Sequence, residues 1–190
     1  MLLIYPPVAK PSEPPAGIAQ LAAALGANGI PCELLDLNLE GLLFLLAQKS
    51  GASDTWTRRA VKHAAANIAA LRDPATYRSR DRYRRAVRDL DRLLSFAGRE
   101  AGSTVGLADH QHRQRSPVRS SDLLAAAEHP EQDPFFPHFS ARLRERTEQG
   151  RFTAVGISVN YLNQALTAFA MIGSIRREVP AEHDAHGGEV

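Results

Sequence analysis

The sequence predicts an α/β fold on three observations. Two short apolar runs, Leu2-Leu3-Ile4-Tyr5 and Cys32-Glu33-Leu34-Leu35-Asp36, flank a stretch with helical spacing of apolar residues. A third run, Phe152-Thr153-Ala154-Val155-Gly156-Ile157-Ser158-Val159, leads into a second such stretch. Runs that need not alternate suit parallel strands covered on both faces. Between these parts, residues 51–150 differ in composition and read as a mainly helical insert.

The first strand ends at Pro6-Pro7. Residues 6–15 hold five prolines (Pro6, Pro7, Pro11, Pro14, Pro15). Proline fixes φ and removes a donor, so a stiff, extended loop is expected. A helix over 16–28 follows, with Ile18, Leu21, Ala22 and Leu25 on one face. Asn28-Gly29 stops it, because both residues tolerate the left-handed C-cap conformation. The strand at 32–36 completes a βαβ unit. Asn38 is placed to cap the next helix, whose apolar face holds Leu42, Leu43, Leu45 and Leu46.

In the insert, helices are expected over 55–71, 77–98, 121–129 and 135–149, with a short strand in 103–108. Tyr83, Val87, Leu90 and Leu94 share one face of the second helix. Its other face carries Arg80, Arg84, Arg85, Arg88 and Arg92 among Asp81, Asp89 and Asp91, and reads as solvated and laced with i,i+4 ion pairs. The last helix, 163–178, carries Leu162, Leu166, Phe169, Ile172 and Ile175 along one face, and Pro180 stops it. The chain thus divides into a first βαβ part (1–50), the insert (51–150), a continuation of the sheet domain (151–180) and an irregular tail (181–190). Ile4, Leu34, Val155 and Ile157 are expected to be buried in the sheet.

Composition narrows the function. The 190 residues carry 23 basic and 21 acidic side chains, a net charge of +2. So close a balance predicts no nucleic-acid partner, and the arginine face of the second insert helix carries no interleaved aromatic residue to stack on bases. Cys32 is the only cysteine. It reads as inert core, and it cannot form an intrachain disulfide or hold an iron–sulfur cluster; a reduced, cytoplasmic setting is expected. The N-terminal run is too short for a signal peptide, and no apolar stretch approaches the roughly 20 residues of a membrane span.

If the three strands form one parallel sheet with the first in the middle, the order is Rossmann/flavodoxin-like. The helices after the first and third strands then leave on opposite faces, and a crevice opens at the strands' C-terminal ends. The Pro6–Pro15 loop and the Ser158–Tyr161 loop meet there, each running into a helix N-terminus with free N–H groups. The candidate binding residues are Pro6, Pro7, Pro15, Gly17, Ser158, Asn160 and Tyr161. Ser158 and Asn160 either touch a ligand or cap the following helix. Asp36 lacks the Gly-x-Gly-x-x-Gly partner of a ribose-binding acid. Asp109-His110-Gln111-His112 is either a metal-binding pair of histidines or a polar turn. No Ser/His/Asp or Cys/His arrangement is legible, so no catalytic residue is assigned.

Leu3-Ile4-Tyr5-Pro6-Pro7, Pro14-Pro15-Ala16-Gly17-Ile18-Ala19-Gln20-Leu21-Ala22, Asn28-Gly29-Ile30-Pro31 and Leu35-Asp36-Leu37-Asn38 together resemble the opening of cobalamin-binding radical-SAM proteins. In that family a strand ending in two prolines precedes a P-x-G-[IL]-x-x-L-A helix, and the second strand ends in Asp-x-Asn. Ala154–Asn160 is similar to the family's third strand, whose following serine touches cobalamin. The resemblance covers residues 2–38 and 152–178, and the middle only loosely. It implies a cobalamin-binding module, incomplete at its C-terminus, of or derived from a radical-SAM enzyme. It also implies action with a separate radical-SAM chain, or self-association. The Cys-x-x-x-Cys-x-x-Cys motif is absent, so no radical chemistry is expected from this chain alone. The Asp-x-His-x-x-Gly motif that supplies a histidine to cobalt is also absent after the first strand; Asp184-Ala185-His186-Gly187-Gly188 only approaches it. The alternatives are a stand-alone small-molecule transferase and a degenerate, truncated domain that associates through an open sheet edge.

Overall fold

The computed structural model describes residues 1–13, 15–48, 54–149 and 152–178. Pro14 and the tail motif at 184–188 lie outside them. Strands β1 (Leu2–Tyr5), β2 (Glu33–Asp36) and β5 (Val155–Ile157) form a parallel sheet in the order β2-β1-β5. Leu3 pairs with Leu34 on one side and with Gly156 on the other. The chain is therefore an α/β protein with a Rossmann-like sheet whose first strand is central.

Side chains of β1 alternate between two apolar clusters, as the two-residue period of a strand requires. Leu3 and Tyr5 pack with Ile18 of α1 (Ala16–Ala27). Leu2 and Ile4 pack on the other face with Leu42 and Leu45 of α2 (Leu37–Ala47) and Met171 of α7 (Ala165–Glu178). Helices thus cover both faces, with α1 and α7 on opposite sides. Gly29, at φ +71°, ends the α1 turn in the left-handed region that glycine tolerates.

The insert comprises α3 (Thr55–Arg72), α4 (Arg80–Ala97), α5 (Ser120–Glu128), α6 (Phe136–Gln149) and a hairpin of β3 (Ser103–Val105) with β4 (His110–His112). It shares its core with the sheet: Leu94, Val105, Phe135, Phe139 and Leu143 join the cluster around Leu2 and Ile4. Arg142 of α6 binds Glu40 of α2 at 2.8 Å. Helices α5 and α7 approach closely at Gly173, where any Cβ would run into the carbonyl of Ala127.

Several expectations need correction. Leu34 is 47% exposed and Val155 37%, because each lies on an edge strand beyond the cover of the helices that seal β1. Asn38 is not a cap. Asp36 caps α2, accepting from the N–H groups of Asn38 and Leu39, because the strand passes directly into the helix. Leu21 of α1, Leu162 before α7 and Ile172 within α7 are exposed, whereas Leu166 is buried and Ile175 packs against the core as expected, joined by Ala170 and Met171. Among the described residues, no ion pair joins an α4 arginine to an acid.

Candidate functional site

β1 and β5 run parallel, so their C-terminal ends deliver two loops to one place. The N–H of Ser158 donates to the carbonyl of Ile4 at 2.9 Å, which sets the exit from β5 beside Pro6. Gln164, wholly buried, then holds both loops. Its Nε2 donates to the carbonyl of Pro6 at 2.6 Å, and its Oε1 accepts from the N–H groups of Asn160 (2.9 Å) and Tyr161 (3.0 Å). Asn38 fixes the proline loop further along: its amide accepts from the N–H of Ala9 at 2.8 Å and donates to Ala9's carbonyl at 3.0 Å. The Tyr161 hydroxyl donates to Glu13 at 2.9 Å, and Lys10 pairs with Glu13 at 3.0 Å.

Of the candidate residues, Pro6 and Pro7 are buried in the crevice wall and Pro15 is half-buried at the start of α1. Gly17 lies open in the first turn of α1, with the Asn160 amide 3.9 Å from where a Cβ would stand. Ser158, half-buried, reaches toward Asn160 at 3.5 Å. Asn160 and Tyr161 are exposed. Pro15 provides no side-chain cap, and the first turn of α1 holds no acid. Its free N–H groups, the Asn160 amide and the Ser158 hydroxyl therefore form a cluster of donors at one rim.

Sequence reasoning missed Tyr5, a buried residue whose hydroxyl is influenced by the amides of Asn160 and Gln164. Burial raises its pKa, the charge on Asp36 adds to this, and the two amides pull the other way. The hydrogen bond to Glu13 raises that of Tyr161, while Lys10 and then Tyr161 hold Glu13 below its ordinary value. The crevice thus offers neutral hydroxyls and amides at neutral pH, beside the charged Lys10–Glu13 pair. Such groups can donate to or accept from a polar ligand edge.

The structure also assembles a buried chain that the sequence did not reveal. His110 Nε2 lies 3.2 Å from the Ser103 hydroxyl, and His110 Nδ1 lies 3.4 Å from the Thr167 hydroxyl. Thr167 donates to Asp133 at 2.8 Å. That proton assignment makes Nδ1 the donor to Thr167 and Nε2 the acceptor from Ser103. Burial lowers the His110 pKa to about 4 and pushes the Asp133 carboxyl up to about 6. Ser103 is wholly buried, and the chain fastens the hairpin to α7, with Asp133 half-buried at its outer end. His112, the other half of the suspected metal pair, instead accepts backbone N–H groups from Gln114 and Arg115, as a polar turn does. Among the described residues, no three His, Cys, Asp or Glu side chains are grouped to hold a metal. Cys32 packs at the edge of the α1 cluster, its thiol 3.7 Å from the carbonyl of Ala22.

Two large grooves lie in the insert. One, of about 1260 Å³, runs between α2, α3 and β4; the other, of about 1010 Å³, runs along α3 and α4. Neither is lined by the seven candidate residues. No helix among the described residues is long and apolar enough to cross a membrane. No protein-family model, curated protein or solved structure matches the chain. Fold and crevice together define a Rossmann-like α/β chain with a helical insert and a polar rim at the end of β1 and β5.

Proposed function

We propose that the chain is a cobalamin-binding module of, or derived from, a radical-SAM enzyme, working in the cytoplasm and presenting the corrin to a partner's active site. The observation that carries this is the apposition of Gly17 and Asn160 at the ends of β1 and β5. Open α/β sheets bind ligands at such strand-order reversals. The rim's donors suit the corrin's amide-bearing periphery: the free N–H groups of α1, the Ser158 hydroxyl and the amide of Asn160. Gly17 leaves room for that edge to approach. Cobalamin, when bound, supplies the organometallic chemistry, while these residues bind and orient it.

Titration of the protein into cob(II)alamin, followed by visible absorbance and EPR, tests this. One equivalent bound, without nitrogen superhyperfine splitting from a protein histidine, is expected; splitting that disappears in a histidine variant contradicts the ligation. A second reading has its own observation. β5 is an edge strand, and Val155, Val159 and Leu162 beside it are exposed. An unpaired apolar edge favours association with another chain. Absence of cobalamin binding, with a concentration-dependent dimer in sedimentation, favours that reading.

A further inference from the structure

Charge is distributed unevenly along this nearly neutral chain. Residues 54–99 hold twelve Lys and Arg against five Asp, while the remainder holds eleven against sixteen Asp and Glu. Folding concentrates the excess. Helices α3 and α4 pack side by side, and the groove of about 1010 Å³ along them is lined by Arg59 from α3, by Arg84, Arg88 and Arg92 along α4, and by Arg99 in the turn just after it. All five are exposed, and among the described residues none is within salt-bridge distance of an acid; the charge of Arg92 acts on Asp54 from further off, and Arg99 lies over the Phe96 ring at 5.5 Å. Two of the three aspartates in the groove are engaged by the fold: Asp89 accepts from Asn67 at 3.1 Å and Asp91 from the N–H of Leu107 at 2.7 Å.

The α4 aromatics, Tyr83 and Phe96, do not line this groove, and its aromatic group comes from the neighbouring helix. Trp56, near the start of α3, stands in the same groove and is 63% exposed. Arg84, Arg88 and Arg92 follow one another at four-residue steps, about 6 Å of helix rise each. That spacing suits successive phosphates of an extended nucleotide strand. The indole offers a face on which a base stacks, worth roughly 1–3 kcal/mol per base in such sites. A flat membrane surface fits a groove poorly, and the apolar residues of α4 (Ala86, Leu90, Leu93, Leu94) are buried rather than free to insert. We propose that the α3–α4 groove binds single-stranded nucleic acid, its arginines tracking the phosphates and Trp56 stacking on a base. This departs from the expectation drawn from the overall charge balance, and it is independent of the crevice at β1 and β5.

Trp56 is the only tryptophan, so its fluorescence reports the contact directly. Titration of the full chain with a twelve-nucleotide oligo(U) should quench that emission. Inorganic polyphosphate should compete for binding without quenching, and acidic phospholipid vesicles and polyglutamate should do neither at comparable charge. If about four phosphates are neutralised, affinity should fall roughly fiftyfold between 50 and 200 mM salt. An Arg88→Glu/Arg92→Glu variant should bind at least tenfold more weakly, while Arg88→Lys/Arg92→Lys retains most of the affinity. Because both sites are exposed, circular dichroism should be unchanged in either. No quench by oligo(U) in the wild-type chain overturns the proposal, as does an equal quench by polyglutamate or vesicles.

Discussion

At the residue scale, the crevice depends on a side chain that does not itself face the ligand. Gln164 binds Pro6, Asn160 and Tyr161 with one amide. Gln164→Ala leaves the two N–H groups and a carbonyl without that partner, and should cost about 2 kcal/mol in urea denaturation; an unchanged midpoint contradicts its role as the tie between the loops. His110 and Asp133 make a second prediction, with opposite signs. Folded His110 titrates at about 4, below the ordinary 6.5, so the unfolded chain takes up its proton first as pH falls. Stability is therefore lost between pH 6.5 and 4, by up to about 3 kcal/mol. Folded Asp133 titrates at about 6, above the ordinary 3.8, so the folded chain binds that proton first and gains stability as pH falls through the same window. Asp133→Asn removes the offset. Its stability should fall more steeply than the wild type's from pH 6.5 to 4, and parallel profiles contradict the assignment. Ser158 and Asn160 were legible because a strand end next to a helix start locates them. Gln164, Tyr5 and Asn38 were not, since their partners lie as far as 158 residues away and only the fold brings them together.

At the element scale, helices read well from periodicity, and their ends fell within a few residues of the expectation. Asp36→Ala should lower stability by roughly 1 kcal/mol through loss of the α2 cap, measurable as a shifted denaturation midpoint; no shift contradicts the capping role given to Asp36 in place of Asn38. Gly173→Ala should cost about 3 kcal/mol, because the neighbouring group is the backbone of α5 and cannot swing away. A melting temperature equal to the wild type's contradicts the close α5–α7 approach. The β3–β4 hairpin was only half legible: strands of three residues carry too little alternation to announce a partner. Leu34 and Val155 show the converse, since an apolar run announces a strand but not whether it lies at the centre or the edge of the sheet.

At the scale of the whole molecule, three apolar runs announced three strands, while their order and parallel sense rested on the flavodoxin-like arrangement, which the sheet β2-β1-β5 matches. The insert's share in the central core was not legible, because Phe135, Phe139 and Leu143 reach β1 only through tertiary packing. The uneven charge was visible in the sequence, but Trp56 came beside the arginines only once α3 had packed on α4. The crevice and the groove lie on different elements, so the proposals about them stand or fall separately. The central claim is that the rim between the Pro6–Pro15 and Ser158–Tyr161 loops holds the corrin. Cobalamin affinities of the wild type, Ser158→Trp and Arg88→Glu/Arg92→Glu, compared by visible absorbance at matched protein stability, test it most directly. The account predicts that Ser158→Trp weakens binding at least tenfold while the arginine variant binds as the wild type does. Wild-type affinity in Ser158→Trp would contradict it.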